Sequence, residues 1–249
     1  MADTFLSPEA WEAVLLSLKV AGAGTLASLP VAVGVAALLA HGRFPGRMLL
    51  DGLVHLPLVL PPVVTGYVLL VLFGRQGTIG AFLEAQLGLV FAFRWTGAAL
   101  AGAIMGFPLM VRAIRLSMEA VDARLGEAAA TLGAGATMRF VLITAPLITP
   151  GILAGTILCF AKALGEFGAT ITFVSNIPGE TRTLPSAIYA FLQVPGGERE
   201  AAVLATAAVV IALAALFLSD TVSRRVARAI GMADEARPSR KPGSDRHPR

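Results

Sequence analysis

The clearest structural signal in the chain is an uncharged stretch from Val20 to Ala40, which reads VAGAGTLASLPVAVGVAALLA. A helix of about 20 apolar residues crosses the roughly 30 Å of hydrocarbon in a bilayer. Upstream, Ser7, Pro8 and Glu9 form a helix start, with a capping hydroxyl, a proline at the first position and an acid in the first turn. We therefore predict a first membrane span within a helix that begins at Pro8.

The composition of the whole chain agrees with a membrane protein. Of the 249 residues, 56% are hydrophobic and 14% are charged, against roughly 25% charged residues in soluble domains. Asp3, Glu9 and Glu12 stand where a cleaved signal peptide would be positively charged, so the first span is expected to be retained. The spacing of the histidines and of Cys159 indicates no metal site, and no basic stripe alternates with aromatics to indicate nucleic-acid binding.

Four further apolar blocks predict four more spans, which gives an all-α integral membrane fold of about five transmembrane helices. The blocks run over Leu53–Phe73, Phe91–Val111, Leu147–Val174 and Ala201–Leu218. The second contains Pro61 and Pro62, which free backbone carbonyls, so it is expected to face protein and not lipid. An apolar stretch from Leu184 to Val194 is too short to span and predicts an interfacial or re-entrant helix. We assign residues 1–228 to a transmembrane domain and residues 229–249 to a flexible, basic cytoplasmic tail.

Arginines near the ends of the predicted spans set the orientation, because Lys and Arg are enriched in cytoplasmic loops. The segments that we assign to the inner side carry Arg43, Arg47, Arg112, Arg115, Arg124, Arg139, Arg224, Arg225 and Arg228. The remaining loops carry Arg75, Arg94, Arg182 and Arg199. The N-terminus is therefore expected outside, on the periplasmic side, and the C-terminus inside.

The longest inner loop, within residues 117–146, predicts a short amphipathic helix. Asp122 can cap it, and Leu125, Ala128, Ala129 and Leu132 then share one face at helical spacing. Gly133 and Gly135 are expected to end the helix. About ten residues of helix are marginally stable alone, so this one is expected to dock against something. The alternative is an ordinary amphipathic connector.

This loop resembles the "EAA" loop of ABC importer permeases, in which it is a coupling helix that sits in a cleft of the ATP-hydrolysing subunit. The resemblance rests on the residues Glu127, Ala128, Ala129, Gly133, Ile143 and Pro146. One departure is Ala145, where that family usually has leucine. The resemblance implies a type I ABC importer permease fold with a cytoplasmic coupling helix.

Three more stretches resemble the permeases of molybdate ABC importers, the ModB family. They are HLPLVLPPVV at residues 55–64, FPLMVRAIR at residues 107–115 and LGEFGATITFVSNIPGETRT at residues 164–183. Sulfate permeases share the loop but resemble these stretches less closely. The likeness extends from about Trp11 to Ser219 and leaves the tail unexplained.

The resemblance implies a permease subunit in a bacterial inner membrane that passes molybdate into the cytoplasm. Its implied partners are a second copy of the chain, two ABC ATPase subunits and a periplasmic molybdate-binding protein, within membrane lipid. The chain lacks a glycine-rich phosphate loop ending in Gly-Lys-Ser or Gly-Lys-Thr, so no catalytic residue and no cofactor are expected on it, and ATP is expected on the partner. Tungstate, sulfate and thiosulfate remain open as cargo.

Polar residues in the second and fourth predicted spans are candidates for the translocation pathway. Lys162 and Glu166 are predicted four residues apart on one helix face of the fourth span, and they form either part of the pathway or its gate, or a structural ion pair. The other candidates are Thr65, Thr170, Thr172, Ser175 and Asn176. Their alternative role is hydrogen bonding to their own helix. The outer arginines are expected to draw in an anion, or else to anchor the spans at the interface or to contact an external binding protein.

Two other classes of function fit the sequence less well. A self-sufficient secondary transporter predicts repeated halves, and the sequence shows no such self-similarity. A membrane enzyme needs clustered carboxylates, histidines or a nucleophile with a base, which the spacing does not offer.

Overall fold

The computed structural model describes residues 7–229, and every regular element in that range is a helix. The first, α1, covers Pro8–His41 and is about 51 Å long at 1.5 Å per residue. Ser7 caps it as predicted, because its hydroxyl accepts a hydrogen bond from the Ala10 amide at 3.3 Å. The predicted tail at residues 229–249 lies, apart from its first residue, outside the described residues.

The second predicted span is not one straight helix. Helices α2 (Arg47–Val59) and α3 (Pro62–Phe73) meet at an angle of 115°. Leu60 and Pro61 form the break, since a proline lacks the amide that would continue the hydrogen-bond ladder and forces its predecessor out of helical geometry. The prediction of a continuous span over 53–73 is therefore wrong in this respect. A short helix, α4 (Thr78–Leu87), follows.

The central helix is α5 (Trp95–Glu119), which confirms the third predicted span. It makes its most extensive contacts with α1 and with a later helix, α8 (Ala145–Leu164). Most of its small residues are buried, whereas the other spans leave much of their apolar surface open within a single chain.

The segment after α5 is more helical than predicted. Helices α6 (Ala123–Thr131) and α7 (Ala136–Arg139) are followed by a π-helical turn (Phe140–Thr144) that runs into α8 (Ala145–Leu164). The span therefore covers Thr137–Leu164. It begins about ten residues before the predicted fourth block and ends ten residues before that block does.

The fourth predicted span is also broken at its far end. After Leu164 the chain turns through residues 165–167 and re-enters a short helix, α9 (Gly168–Val174). The prediction that residues 147–174 form one helix is wrong, because Gly165 and the residues after it leave the helical path.

Two helices complete the described chain. Helix α10 (Leu184–Leu192) has nine residues, in agreement with a segment too short to span. Helix α11 (Glu198–Ala229) contains the fifth predicted span within Glu198–Leu218.

Among the described residues, four helices are long and apolar enough to cross a membrane, namely those at Pro8–His41, Trp95–Glu119, Thr137–Leu164 and Glu198–Leu218. The bent pair α2–α3 makes a fifth if it counts as one span, which matches the predicted number.

Candidate functional site

Helix α6 is delimited by the two signals that the sequence predicted. Its N-cap is Asp122, whose Oδ1 accepts a hydrogen bond from the Arg124 amide at 2.9 Å. Beyond its end, Gly133 takes a left-handed conformation with φ of +83°, which a residue with a side chain rarely adopts. Gly135 does not end the helix as predicted, because its carbonyl accepts the Arg139 amide at 3.0 Å and so starts α7.

The apolar face of α6 is open to the surroundings. Leu125 is 47% exposed and Leu132 is 88% exposed, although both are leucines on one helix face. Within the chain α6 packs mainly on α7 and on the π-helical turn, not on the bundle of spans. Glu127 is also exposed and lies about 200° round the helix from Leu125, at 100° per residue. The structure thus presents a short helix whose apolar residues have little cover in the chain itself.

The remaining residues of the predicted loop belong to the span that follows. Ile143 lies half-buried in the π-helical turn, and Pro146 is exposed at the start of α8. Because α7, the π-helical turn and α8 follow one another without a break, they form one rod from residue 136 to residue 164. The turn at residues 132–135 thus connects α6 to a full candidate span.

Lys162 and Glu166 form the predicted ion pair, with 2.7 Å between Nζ and Oε2. They do not share one helix as predicted, because Lys162 lies in the last turn of α8 and Glu166 lies in the break after it. The second carboxylate oxygen, Oε1, accepts a hydrogen bond from the Ala169 amide at 3.0 Å. Glu166 thus joins the end of α8 to the first turn of α9.

Helices α3 and α9, each of which follows a break in the chain, touch almost backbone to backbone. A Cβ on Gly66 would lie 2.5 Å from the Ala169 carbonyl oxygen. A Cβ on Gly168 would lie 2.7 Å from the Cβ of Pro62. Neither glycine leaves room for a side chain, so the two short helices form one closely packed unit.

Of the three predicted threonines in this unit, two are buried and the third bonds to the backbone of its own helix. Thr65 is buried, and its hydroxyl has no hydrogen-bond partner among the described residues. Thr170 is buried as well. The Thr172 hydroxyl donates to the Gly168 carbonyl at 2.9 Å, so it bonds to its own helix.

Ser175 and Asn176 lie beyond the end of α9. Ser175 is exposed and has a φ of +66°, unusual for a residue with a side chain. The Asn176 side-chain oxygen accepts from Arg182 Nε at 3.3 Å, and Arg182 also pairs with Glu9 at 3.5 Å. These contacts tie the loop after α9 to the start of α1.

Sequence reasoning missed a charged network between α2 and the end of α5. Arg115 donates to Glu119 at 2.8 Å and to Asp51 at 3.1 Å. His55 Nδ1 lies 2.9 Å from the Asp51 carbonyl oxygen. The i, i+4 spacing of Asp51 with His55 and of Arg115 with Glu119 was a readable signal. The network joins the bent span to the helix that ends three residues before Asp122.

No group of three His, Cys, Asp or Glu side chains in the described part of the chain is arranged to hold a metal ion. Cys159 is fully buried, and its sulfur lies 3.7 Å from the Thr25 hydroxyl. It therefore packs as a small buried residue, as predicted.

Comparison with known proteins shows extensive similarity to transport permeases. The chain is 57% identical over 219 residues to the molybdenum transport system permease protein ModB of Escherichia coli (strain K12), covering 88% of this chain and 96% of that one. It is 54% identical over 224 residues to ModB of Haemophilus influenzae, covering 90% and 98%. It is 33% identical over 227 residues to the sulfate transport system permease protein CysT of Salmonella typhimurium, covering 90% and 82%.

The fold is shared with a solved transporter. A bacterial ABC transporter involved in the import of the acidic polysaccharide alginate superposes with a TM-score of 0.69 at 18% identity, covering 89% of this chain and 81% of that one. Residues 29–231 match the family described as binding-protein-dependent transport system inner membrane component. The chain therefore belongs to the family of inner membrane components of binding-protein-dependent transport systems.

Proposed function

We propose that this chain is the permease subunit of an ATP-driven ABC importer that passes molybdate across the inner membrane into the cytoplasm. The observation that carries the proposal is the exposed apolar face of α6, which the chain itself leaves largely uncovered. The cargo is inferred from the likeness to two molybdenum transport permeases along nearly their whole length. ATP would be bound and hydrolysed by separate subunits, and no cofactor is assigned to this chain.

In this proposal α6 is the coupling helix. Its exposed leucines, Leu125 and Leu132, would enter a cleft of the ATPase subunit, whereas Glu127 on another face would meet the rim of that cleft. When ATP closes the ATPase pair, the two α6 helices of a dimer would move together. Because α6 is followed by the rod that includes α8, the movement would tilt that span and open the pathway on the other side.

The proposed assembly contains two copies of the chain, two ATPase subunits and a periplasmic molybdate-binding protein. Support for a second copy comes from apolar side chains on α2 and α3 that one chain leaves exposed, such as Val59 at 80% and Tyr67 at 61%. Lipid is the other medium that covers such residues. The excess of arginines near α6 supports a cytoplasmic position for it, with the N-terminus periplasmic and the C-terminus cytoplasmic.

We further propose that the pathway runs beside the unit formed by α3 and α9. The buried, unpartnered hydroxyl of Thr65 and the exposed Ser175 are the residues there with hydrogen-bonding capacity to spare. Thr172 and Asn176 already have partners, so they are weaker candidates than the sequence indicated. Thr170 remains a candidate for the pathway only because of its buried position in α9.

A related oxyanion is the second candidate for the cargo. The likeness to a sulfate permease extends over 90% of this chain, although at lower identity. Tungstate, sulfate and thiosulfate share the double negative charge of molybdate. The binding protein is expected to make the first selection among them.

The proposal is tested by ATP-coupled uptake in proteoliposomes that contain the chain with its ATPase and its binding protein. Radioactive molybdate is expected to enter only with ATP, and excess tungstate is expected to compete better than sulfate. Gly133→Ala is expected to lower uptake because it strains the end of α6, whereas Gly135→Ala, which meets open space, is the matched control. Uptake that needs no ATPase, or sulfate competing better than tungstate, would overturn the corresponding part of the proposal.

A further inference from the structure

We propose that Lys162 is the residue that contacts the oxyanion during its passage, and that Glu166 is a positioning residue that never touches it. The inference rests on the proposed transport of a divalent oxyanion. It assigns different roles to two residues that pair at 2.7 Å and that sequence spacing alone treats as equivalent.

Each carboxylate oxygen of Glu166 already has a partner within the chain. Its Oε2 accepts from Lys162 and its Oε1 accepts from the Ala169 amide at 3.0 Å. The side chain is 2% exposed. A carboxylate would also repel an anion. Its contacts instead hold the end of α8, the break and the start of α9 in one arrangement.

The Lys162 side chain is much more exposed than that of Glu166. Its side chain is 32% exposed, and an ammonium group has three N–H donors, of which Glu166 uses one. Two donors thus remain for another ligand. The backbone beside Lys162 is packed closely, because the neighbouring residue, Ala163, lies against Gly102 of α5.

The position of Lys162 along the spans places it inside the membrane. Gly102 is the eighth residue of α5, which starts at Trp95, so Lys162 lies about 10 Å along that helix from its start. An ionised side chain at such a depth faces protein or water and not lipid, because hydrocarbon does not solvate it. The other lysine among the described residues, Lys19, is exposed, and its Nζ lies 3.8 Å from the centroid of the Trp95 ring at the start of α5.

A lysine that is paired with a carboxylate suits the passage of an anion better than an unpaired lysine does. In the empty state Glu166 neutralises Lys162, so no bare cation is left in a region of low dielectric constant. An oxyanion that arrives takes up the two spare donors. Because the Glu166 carboxylate stays beside the ammonium group and repels the anion, the anion is held less tightly than by an unpaired lysine and is released.

The decisive variant is the double substitution Lys162→Met with Glu166→Gln. Lys162→Met alone leaves a buried carboxylate without its partner and is expected to destabilise the complex. In the double variant methionine fills the space of the lysine stem, and the glutamine carbonyl still accepts the Ala169 amide. Lys162→Arg keeps the charge, and Lys19→Met, which removes a lysine outside the ion pair, is the control for the loss of a lysine.

All variants are assembled with the ATPase and the binding protein, and three properties are measured: the Tm of the complex, ATP hydrolysis stimulated by the binding protein, and molybdate uptake. We expect the double variant to keep the Tm and the ATP hydrolysis of the wild type but to lose about tenfold or more in uptake, the worth of a charged hydrogen bond. Lys162→Arg is expected to transport better than the double variant. Lys19→Met is expected to stay within about twofold of the wild type.

If the double variant has both the Tm and the molybdate uptake of the wild type, the inference is overturned, because the ion pair then has only a structural role. Uptake by Lys162→Arg no better than by the double variant would also overturn it. A wild-type complex that hydrolyses ATP but takes up no oxyanion would instead refute the proposed function, and the inference with it.

Discussion

At the scale of single residues, the packing between α5 and α8 depends on small side chains. On α8, Gly155, Cys159 and Ala163 recur at intervals of four residues, and Gly102 and Gly106 face them from α5. Lipid is as apolar as the helices, so burying apolar area stabilises their association little, and close backbone contact does so instead. This pattern was readable from the sequence as a repeat of small residues every fourth position, although hydropathy alone does not reveal it.

Gly106 provides the sharpest test of that packing. A Cβ there would lie 2.6 Å from the Cys159 sulfur and 2.8 Å from the Cys159 carbonyl oxygen. We expect Gly106→Ala to destabilise the protein by about 1–3 kcal/mol, since α8 has to move away. The control is Gly34→Ala on α1, where a Cβ would meet nothing within 4 Å. The measurement is the Tm of both purified variants in the same detergent, and an equal Tm for the two would contradict this account of the interface.

At the scale of helices, the sequence predicts where the spans lie better than it predicts where they bend. The blocks 53–73 and 147–174 are continuous in hydropathy, yet the chain turns by 115° in the first and leaves the helix at Gly165 in the second. Hydropathy indicates whether a segment prefers lipid or water, but it does not indicate the direction of the helix axis. Pro61 indicated carbonyls without partners, but the size of the bend depends on the packing of α3 against α9.

Helix α6 is the element whose limits were predicted from chemistry alone. A capping carboxylate and a glycine in the left-handed conformation are local signals, and both appear in the structure. The exposure of its leucines was not predictable, because it depends on how α7 and the π-helical turn carry the helix away from the bundle.

The cap of α6 can be removed with little change to its surface. Asp122→Ala deletes the acceptor for the Arg124 amide and is expected to destabilise α6 by about 1 kcal/mol, whereas Asp122→Asn keeps an acceptor of similar strength. ATP hydrolysis stimulated by the binding protein is therefore expected to fall in the alanine variant and to persist in the asparagine variant. If both variants behave alike, the order of α6 does not depend on this hydrogen bond.

At the scale of the whole molecule, a single chain forms a helical bundle in which many large apolar side chains remain exposed. Helix α5 is the buried centre, whereas α3 and α11 expose large side chains such as Tyr67 at 61% and Phe217 at 71%. The sequence predicted the number of spans and their class, but it could not show which helix is central. That arrangement follows from the fit of small residues on α5 against α1 and α8, which involves residues far apart in the chain.

The central claim is that α6 is the contact between this chain and an ATPase subunit. A photoreactive benzoylphenylalanine at Leu132, which is 88% exposed, tests it most directly in the assembled complex. The same group at Pro178, an exposed residue in the loop that follows α9 near the start of α1, is the control. On illumination, we expect a covalent adduct with the ATPase from position 132 and none from position 178. No ATPase adduct from position 132, or an ATPase adduct from position 178, would contradict the account.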